Sequence, residues 1–270
     1  MSAAQLHPTA VVAPGAVLGD DCVVGPYCIV GEHVVLGPRT RLLSHVVLDG
    51  HTRLGADCQV YPFASLGTQT QDLKFKGEVS FVEIGDRNVI REYVTIHAAT
   101  AGGCKTVVGD GCLIQAYCHV AHDSRLGNGI IMSSGAKLAG HVEIDDAAVI
   151  GGMTGIIQFT KIGTMAMVGA YSKLDHDVPP YCIADGLPAE LRAVNRIGME
   201  RHGKSPEAIQ VMRHAFRRIF RAGLTLEKAL DELTATYPDS PEIAALRAFA
   251  ARSTRGICRP RAAEAGSDGD

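Results

Sequence analysis

Residues 12–42 read VAPGAVLGDDCVVGPYCIVGEHVVLGPRTRL, and an aliphatic residue recurs there at every sixth position. The next residue is often glycine, and a small or β-branched residue comes four positions after each aliphatic one. A six-residue period fits neither the 3.6-residue turn of a helix nor the alternation of an ordinary strand. It predicts strands of about four residues joined by tight turns, with the aliphatic and small residues inside.

The same period continues far beyond this stretch. It runs from Val12 to Leu66, resumes from Ile84 to Ile96, and runs again from Val108 to Leu174. Three strands would close one coil of a triangular prism, so residues eighteen apart would lie stacked. Glycine would relieve the turns where a positive φ or close packing is required. We therefore predict a mainly β protein, with a parallel β-helix over residues 1–187.

Two segments interrupt the period, near residues 68–83 and near residues 98–107. The first is polar and carries lysines, whereas the second is rich in threonine, alanine and glycine. Loops that project from a rigid scaffold commonly carry function. We expect both segments to be such loops.

From residue 188 the period gives way to helical signals. Ser205-Pro206, Thr225 and Ser240-Pro241 each offer an N-cap residue, twice followed by proline at the first helical position. We predict a helical C-terminal domain over residues 188–258. The tail 259–270 is small and polar, and we expect it to be disordered.

Composition excludes several classes of function. A net charge of −3 gives no general attraction for nucleic acid. No apolar run reaches membrane-spanning length, so we expect no membrane insertion. The N-terminus has no basic segment followed by an apolar run, so no secretory signal is expected.

The eight cysteines do not suggest disulfides or a structural metal. Five of them share one phase of the six-residue repeat, where they would act as small buried apolar residues: Cys22, Cys28, Cys58, Cys112 and Cys118. No CxxC pair is present, which argues against a structural zinc site. We expect a reduced protein of the cytoplasm.

The stretch 120–141, VAHDSRLGNGIIMSSGAKLAGH, carries the most distinctive chemistry. His122 and Gly140 are eighteen residues apart, and Gln158 follows eighteen residues later. Stacked coils lie about 4.8 Å apart. A histidine base and a backbone N–H donor would therefore lie within reach of one substrate, which is the geometry of acyl transfer.

Several short motifs together resemble one family. They are HPTA, QDLK, IGDRN, VTIH, AHD, LAGH, IGGMTG, DVPPY and ARSTRG, spread from His7 to Gly256. They are similar to the acyl-carrier-protein-dependent UDP-N-acetylglucosamine O-acyltransferases, which perform the first step of lipid A synthesis. The resemblance implies a left-handed parallel β-helix, a homotrimer with sites between subunits, and no metal or cofactor. It also implies direct transfer of a 3-hydroxyacyl group from acyl carrier protein to the 3-hydroxyl of UDP-N-acetylglucosamine.

The resemblance assigns roles to individual residues. His122 matches the general base, Asp123 would orient its ring, and Gly140 matches the backbone donor to the oxyanion. Because attack is direct, no cysteine is needed as a nucleophile. The substrate-binding matches are Gln71, Asp72, Lys74, His119, His141, Gln158, Asn195 and Arg201.

Near Arg201, which matches an arginine that meets the diphosphate, the chain departs from the family. His202 stands where a second basic residue is frequent, and Ile197 where a carboxylate sometimes occurs. Arg201 is therefore a firmer match than its neighbours. Arginine suits this role because it offers phosphate a fork of donors.

Two further expectations concern the acyl donor. Ala170 matches a position that limits acyl-chain length, which suggests a 3-hydroxyacyl group of about ten to twelve carbons, because an alanine methyl occupies groove space that glycine leaves open. Arg213, Arg217 and Arg221 recur every four residues on one predicted helix face. Such a stripe favours an acidic partner such as acyl carrier protein.

Three alternatives remain open at this point. A zinc-dependent lyase similar to the hexapeptide carbonic anhydrases would need three histidines around one metal, and His97, His119, His122 and His141 are candidates. The N-acyltransferase that acts later in the same pathway shares the repeat but resembles a chain with an additional N-terminal domain. A non-catalytic binding module is the third.

Overall fold

A computed structural model describes residues 3–261, which form 28 short strands and four helices. In chain order the strands are β1 (Gln5–Leu6), β2 (Val11–Val12), β3 (Val17–Leu18), β4 (Val23–Val24), β5 (Ile29–Val30), β6 (Val35–Leu36), β7 (Arg41–Leu42), β8 (Val47–Leu48), β9 (His51–Leu54), β10 (Gln59–Val60), β11 (Ser65–Thr68), β12 (Phe81–Ile84), β13 (Val89–Ile90), β14 (Thr95–His97), β15 (Lys105–Val108), β16 (Leu113–Ile114), β17 (His119–Val120), β18 (Arg125–Leu126), β19 (Ile131–Met132), β20 (Lys137–Leu138), β21 (Glu143–Ile144), β22 (Val149–Ile150), β23 (Gly155–Ile156), β24 (Lys161–Ile162), β25 (Met167–Val168), β26 (Lys173–Leu174), β27 (Cys182–Gly186) and β28 (Ala189–Val194). The helices are α1 (Arg196–Arg201), α2 (Pro206–Arg221), α3 (Leu226–Thr236) and α4 (Pro241–Arg252).

The strands form three sheets, and each sheet takes every third strand up to β26. The first sheet begins with β1-β4-β7, the second with β2-β5-β8, and the third comprises β3 to β24. Pairing is parallel, and partners such as Val23 and Arg41 are eighteen residues apart. The three sheets are the faces of a left-handed parallel β-helix, which confirms the predicted fold class.

The interior of the prism is a stack of aliphatic layers. The residues of the six-residue series are buried from Val24 onward, as are the five cysteines that share one phase of the repeat. All eight cysteines of the chain are free. Burying aliphatic side chains in this way contributes about 25 cal/mol for each Å² removed from water.

Two details of the predicted coil were wrong. Most strands span two residues rather than four, because the chain turns at every corner of a narrow prism. The positive φ angles at the corners fall mainly on other residues, such as Tyr27 (φ 57°) and Arg39 (φ 59°). Glycine is needed for close packing instead: a Cβ on Gly25 would lie 1.8 Å from the carbonyl oxygen of Leu43 in the next coil.

Two loops project from the prism. The first loop, residues 69–80, separates β11 from β12, and the second loop, residues 98–104, separates β14 from β15. Across the first loop, the paired residues His51 and Phe81 are thirty apart instead of eighteen. The extra chain leaves the prism at one corner, and the coil then resumes in register.

The end of the solenoid differs from the prediction. β27 continues the first sheet, and β28 pairs with it antiparallel, so the sheet extends to Val194. The six-residue helix α1 follows at once, capped by Asn195. Residues 189–194, which the sequence places in the helical domain, therefore form a strand.

Helices α2, α3 and α4 begin at the predicted N-caps. The side chains of Ser205, Thr225 and Ser240 each accept a hydrogen bond from a backbone N–H in the first turn. The helices pack through a separate apolar cluster that includes Met212 and Leu230. This cluster also includes Tyr181 of the last coil, so the helices pack against the end of the prism.

The segment after α4 returns to the solenoid. Asp177 is fully buried, and its carboxylate accepts hydrogen bonds from the backbone N–H of Lys161 (2.7 Å) and the hydroxyl of Ser253 (2.6 Å). Arg255 donates to the carbonyl oxygens of Asp175 and Gln158, both at 3.2 Å. These contacts attach the C-terminal segment to the last coil.

Within the described part of the chain, no helix is both long enough and apolar enough to cross a bilayer. The tail that was expected to be disordered lies outside the described residues except for positions 259–261.

Candidate active site

The predicted stack of site residues is present at one corner of the prism. The turns after β17, β20 and β23 lie between the second and third sheets, and we call them the histidine corner (residues 121–124, 139–142 and 157–160). The registers pair His119 with Lys137 and Lys137 with Gly155. His122, Gly140 and Gln158 therefore occupy equivalent positions in three successive coils, as the period predicts.

His122 and Asp123 form a hydrogen-bonded pair in the first of these turns. Nδ1 of His122 lies 2.9 Å from Oδ2 of Asp123, and His122 is 7% exposed. Asp123 has a φ of 60°, a conformation that aspartate tolerates better than most residues. Nε2 of His122 is 3.9 Å from Oδ2 of Asp72. Because Nδ1 is bonded to the carboxylate, Nε2 is the nitrogen left to exchange a proton.

Gly140 lies directly against the His122 ring. A Cβ at this position would be 2.3 Å from Cε1 and 2.4 Å from Nε2 of His122, so only glycine leaves the ring in place. The backbone N–H of Gly140 makes no hydrogen bond to any other residue of the range 3–261. It is thus available to a ligand.

The next residue, His141, completes the corner. Its ring is perpendicular to that of His122, with the centroids 5.2 Å apart, and stacks on Phe159 at 4.7 Å. Its Nε2 lies 3.8 Å from Oδ2 of Asp123. His141 therefore borders the His122-Asp123 pair without replacing it.

A cleft of about 580 Å³ joins the histidine corner to the first loop. The predicted site residues in its lining are Gln71, Asp72, Lys74, His119, His122, Gly140 and Gln158. Leu73, at the tip of the first loop, is fully exposed, so the cleft has an apolar edge. One chain thus brings most of the predicted substrate-binding residues together.

Two further histidines in the cleft are held neutral. Burial, and to a lesser extent the nearby His97 and Lys137, lowers the pKa of His119 to about 4. Burial also lowers the pKa of His97, as does the nearby His122. At neutral pH both rings are therefore uncharged and interact with their neighbours through hydrogen bonds. Nδ1 of His119, for example, is 2.7 Å from the hydroxyl oxygen of Thr95.

One group of described residues could share a metal ion: the ligand atoms of His122, Asp123 and His141 lie within 4.8 Å of one another. Two of its members, His122 and Asp123, are already hydrogen-bonded to each other through Nδ1 and Oδ2. Three histidines, which the lyase alternative requires, do not converge anywhere in residues 3–261.

Three predicted site residues lie away from this cleft in a single chain. Ala170 is exposed in the turn after β25, at the corner between the first and second sheets. Asn195 is buried and caps α1: its Oδ1 accepts from the Gly198 N–H (3.0 Å), and its Nδ2 donates to the carbonyl of Met165 (2.8 Å). Arg201 is the exposed last residue of α1.

The predicted arginine stripe is solvent-exposed. Arg213, Arg217 and Arg221 all lie on the outer face of α2, opposite the buried side chains. By contrast, Arg218 on the same helix is paired with Glu232 of α3. The stripe is therefore a separate surface from the cleft.

Sequence reasoning missed some residues of the site. His97, the last residue of the VTIH motif, lines the cleft, whereas the sequence points to it only as a candidate zinc ligand. Thr100 donates its backbone N–H to Oδ2 of Asp123 (3.1 Å), and Thr106 accepts the N–H of Asp123 (2.9 Å). No periodic signal marks Thr100, because it lies in a loop that interrupts the period.

Comparison with known proteins agrees with the geometry. The family "Udp N-acetylglucosamine O-acyltransferase; Domain 2" matches residues 177–258, and the bacterial transferase hexapeptide family matches residues 15–50. The structure resembles LpxA from Acinetobacter baumannii, with 40% identity and a TM-score of 0.90 over 94% of this chain and 100% of that one.

Two other solved structures show the same similarity. The UDP-N-acetylglucosamine O-acyltransferase of Moraxella catarrhalis is 38% identical with a TM-score of 0.91, covering 94% of this chain and 99% of that one. The UDP-N-acetylglucosamine acyltransferase of Arabidopsis is 35% identical with a TM-score of 0.82, covering 94% and 100%. Identity at this level over almost the whole length shows that the chain belongs to the UDP-N-acetylglucosamine O-acyltransferase family.

Proposed function

We propose that this acyltransferase moves a 3-hydroxyacyl group from acyl carrier protein to the 3-hydroxyl of UDP-N-acetylglucosamine. The observation that carries the proposal is the hydrogen-bonded His122-Asp123 pair with Gly140 packed against its ring, inside the cleft. The names of the related structures supply the acceptor. The free thiols of the chain suit a reducing compartment, so we place the reaction in the cytoplasm.

The chemistry needs only side chains and backbone of this chain. Nε2 of His122 removes the proton of the sugar hydroxyl while the hydroxyl oxygen forms a bond to the carbonyl carbon of the thioester. Asp123, on Nδ1, orients the ring and stabilises the imidazolium. The Gly140 N–H donates to the oxyanion, an interaction worth about 3 kcal/mol in comparable sites. The carbon–sulfur bond then breaks, and His122 returns the proton to the leaving thiolate.

The first loop and the histidine corner would hold the nucleotide sugar. Lys74 supplies a cation at the cleft and Asp72 an acceptor for sugar hydroxyls. His119 contributes as a neutral ring, because burial lowers its pKa to about 4. Gln158 lies two coils from His122 and extends the polar wall of the cleft.

We infer that the active unit is a homotrimer in which Ala170 and Arg201 reach a neighbouring chain's cleft, whereas Asn195 is buried as the cap of α1. The corner that carries Ala170 also carries an exposed column of stacked rings, with neighbouring centroids 4.9 to 5.0 Å apart: Tyr27, His45, Phe63, Tyr93 and Tyr117. Phe63 is 47% exposed and Tyr117 58% exposed. A continuous exposed apolar edge of this kind is typical of a contact surface between protein chains.

The direct test supplies purified protein with UDP-N-acetylglucosamine and a series of 3-hydroxyacyl carrier-protein thioesters. Mass spectrometry of the product should show one added 3-hydroxyacyl group, attached as an alkali-labile ester. Transfer only to an amino sugar would instead support the N-acyltransferase alternative. Absence of transfer from every thioester would overturn the proposal.

Exchanging Ala170 should change the preferred acyl chain. The alanine methyl obstructs about one or two methylenes in a close-packed groove, and each methylene that fits is worth about 0.8 kcal/mol. Ala170→Gly should therefore favour chains longer than the ten to twelve carbons expected for the natural protein, with a change of about tenfold in the ratio of kcat/KM values. Ala170→Met should shorten the preference. An unchanged profile in both variants would assign the ruler to another residue.

Reversing the charge of the arginine stripe should weaken binding of the carrier protein and leave binding of the sugar nucleotide unchanged. Arg217→Glu with Arg221→Glu should raise the apparent KM for the carrier thioester by about tenfold and reduce its salt dependence, because two attractive charges become repulsive. The KM for UDP-N-acetylglucosamine should not change. Arg53→Glu, an exposed reversal on β9, is the matched control. Equal weakening of both substrates would mean that the helix is structural.

A further inference from the structure

The first and second loops are hydrogen-bonded to each other. The hydroxyl of Ser80 donates to the carbonyl of Ala99 at 2.6 Å, and the N–H of Gly103 donates to the carbonyl of Val79 at 2.9 Å. Ser80 is buried. The two loops therefore form one unit beside the cleft rather than two independent projections.

Asp123 holds the second loop to the histidine corner. Its Oδ2 accepts the backbone N–H of Thr100 at 3.1 Å, and the same oxygen is bonded to Nδ1 of His122 at 2.9 Å. The N–H of Asp123 donates to the hydroxyl of Thr106, which is fully buried. The carboxylate that orients the histidine thus also fixes the position of Thr100.

Thr70 and Thr100 complete the link to the first loop. Their hydroxyl oxygens are 3.3 Å apart, and Thr70 is only 4% exposed. The Thr70 hydroxyl also accepts the N–H of Asp72 at 3.1 Å. A continuous path of contacts therefore runs from His122 through Asp123, Thr100 and Thr70 to Asp72, whose Oδ2 lies 3.9 Å from Nε2 of His122.

We propose that Thr70 and Thr100 are positioning residues that place the sugar-binding residues of the first loop relative to the His122-Asp123 pair. The proposal rests on the function proposed above. Neither threonine lines the cleft, so we expect both to act through the loop residues rather than by contact with the substrate. Their effect is on where Asp72 and Lys74 stand, because a loop without this link samples more conformations and must be ordered again when the sugar binds.

Valine in place of either threonine keeps the shape and removes the hydroxyl. Thr100→Val and Thr70→Val should each raise the KM for UDP-N-acetylglucosamine by about two- to tenfold, the range expected for one lost hydrogen bond. The value of kcat should stay within about twofold, since the reacting groups remain in place. Measurement at saturating carrier thioester isolates this constant. A parallel loss of kcat and melting temperature would mean a structural role and would overturn the proposal.

Thr40→Val is the matched control. Thr40 is fully buried, and its hydroxyl donates to the carbonyl of Gly55 (2.7 Å) and accepts the N–H of Cys58 (3.1 Å), in a coil remote from the cleft. It should lower stability without changing the KM. The double variant of Thr70 and Thr100 should be no worse than Thr70→Val, because both changes break one link. Additive effects would overturn the inference that the two threonines act through one link.

Hydrogen–deuterium exchange tests the link without any substrate. Amides of the first loop, including Asp72 and Lys74, should exchange faster in Thr100→Val than in the natural protein, whereas Thr40→Val should leave them unchanged. This result decides the coupling even if the natural protein transfers no acyl group, an outcome that would overturn the proposed function alone. Unchanged exchange together with an unchanged KM would overturn the inference.

Discussion

His122→Ala should lower kcat by about 10²–10⁴, the usual loss when a general base is removed. The sugar hydroxyl would then have to lose its proton to water, although Asp123 and Gly140 remain. The measurement is the initial rate of acyl transfer at saturating concentrations of both substrates. The fold should survive, because the ring lies in a turn and not among the aliphatic layers of the prism.

His141→Ala is the comparison for this prediction. The ring of His141 stacks on Phe159, and its Nε2 lies 3.8 Å from Oδ2 of Asp123. His141 is therefore next to the base but is not hydrogen-bonded to Asp123 as His122 is. Its removal should chiefly raise the KM values and lower kcat much less. Near-normal turnover of His122→Ala would remove the assignment of the base. Equal losses in the two variants would mean that the roles of the two histidines are confused.

The coil was predictable because its signal is local and repeated. Each six-residue unit places its aliphatic residue inside, so Val24, Leu36 and Leu48 report the same geometry independently. The corner conformation was not predictable in this way. Residues as different as Tyr27, Arg39 and Asp57 adopt a positive φ there, because contacts with the neighbouring coils impose it on the backbone.

The end of the solenoid was missed because its composition points the wrong way. Strand β28 has the sequence AELRAV, which is rich in good helix formers. It is nonetheless a strand, because β27 offers an open sheet edge beside it. The following helix α1 has only six residues, too few to show a helical period.

In the site, too, residues that follow the six-residue period were predictable and loop residues were not. The stack of His122, Gly140 and Gln158 follows from the period, because a residue's place in one coil fixes its place in the next. The contacts of Thr100 do not, since loop residues have no such register. Ala170 and Arg201 were assigned by resemblance alone, and the single chain holds them away from the cleft. Their roles remain predictions that depend on a neighbouring chain.

Gly140→Ala should lower kcat by about 10² or more, although it adds only one methyl group. The new Cβ would lie 2.3 Å from Cε1 of His122, far inside van der Waals contact, so the ring must move. Its Nδ1 bond to Asp123 would then be strained or lost. A displacement of about 1 Å at the reacting group can cost about 10² in rate. Gly155→Ala is the matched control, in strand β23 just before the next turn of the histidine corner, since a Cβ there meets nothing within 4 Å.

The double variant separates the two roles of Gly140. Alanine keeps the backbone N–H, so the oxyanion donor survives and only the position of the His122 ring is disturbed. In a His122→Ala background no ring remains to be displaced, and adding Gly140→Ala should lower the residual rate no further. A further loss of the size seen in the single variant would mean that the methyl group acts on the donor or on the substrate directly. The close packing against His122 would then not be the reason that glycine is required here.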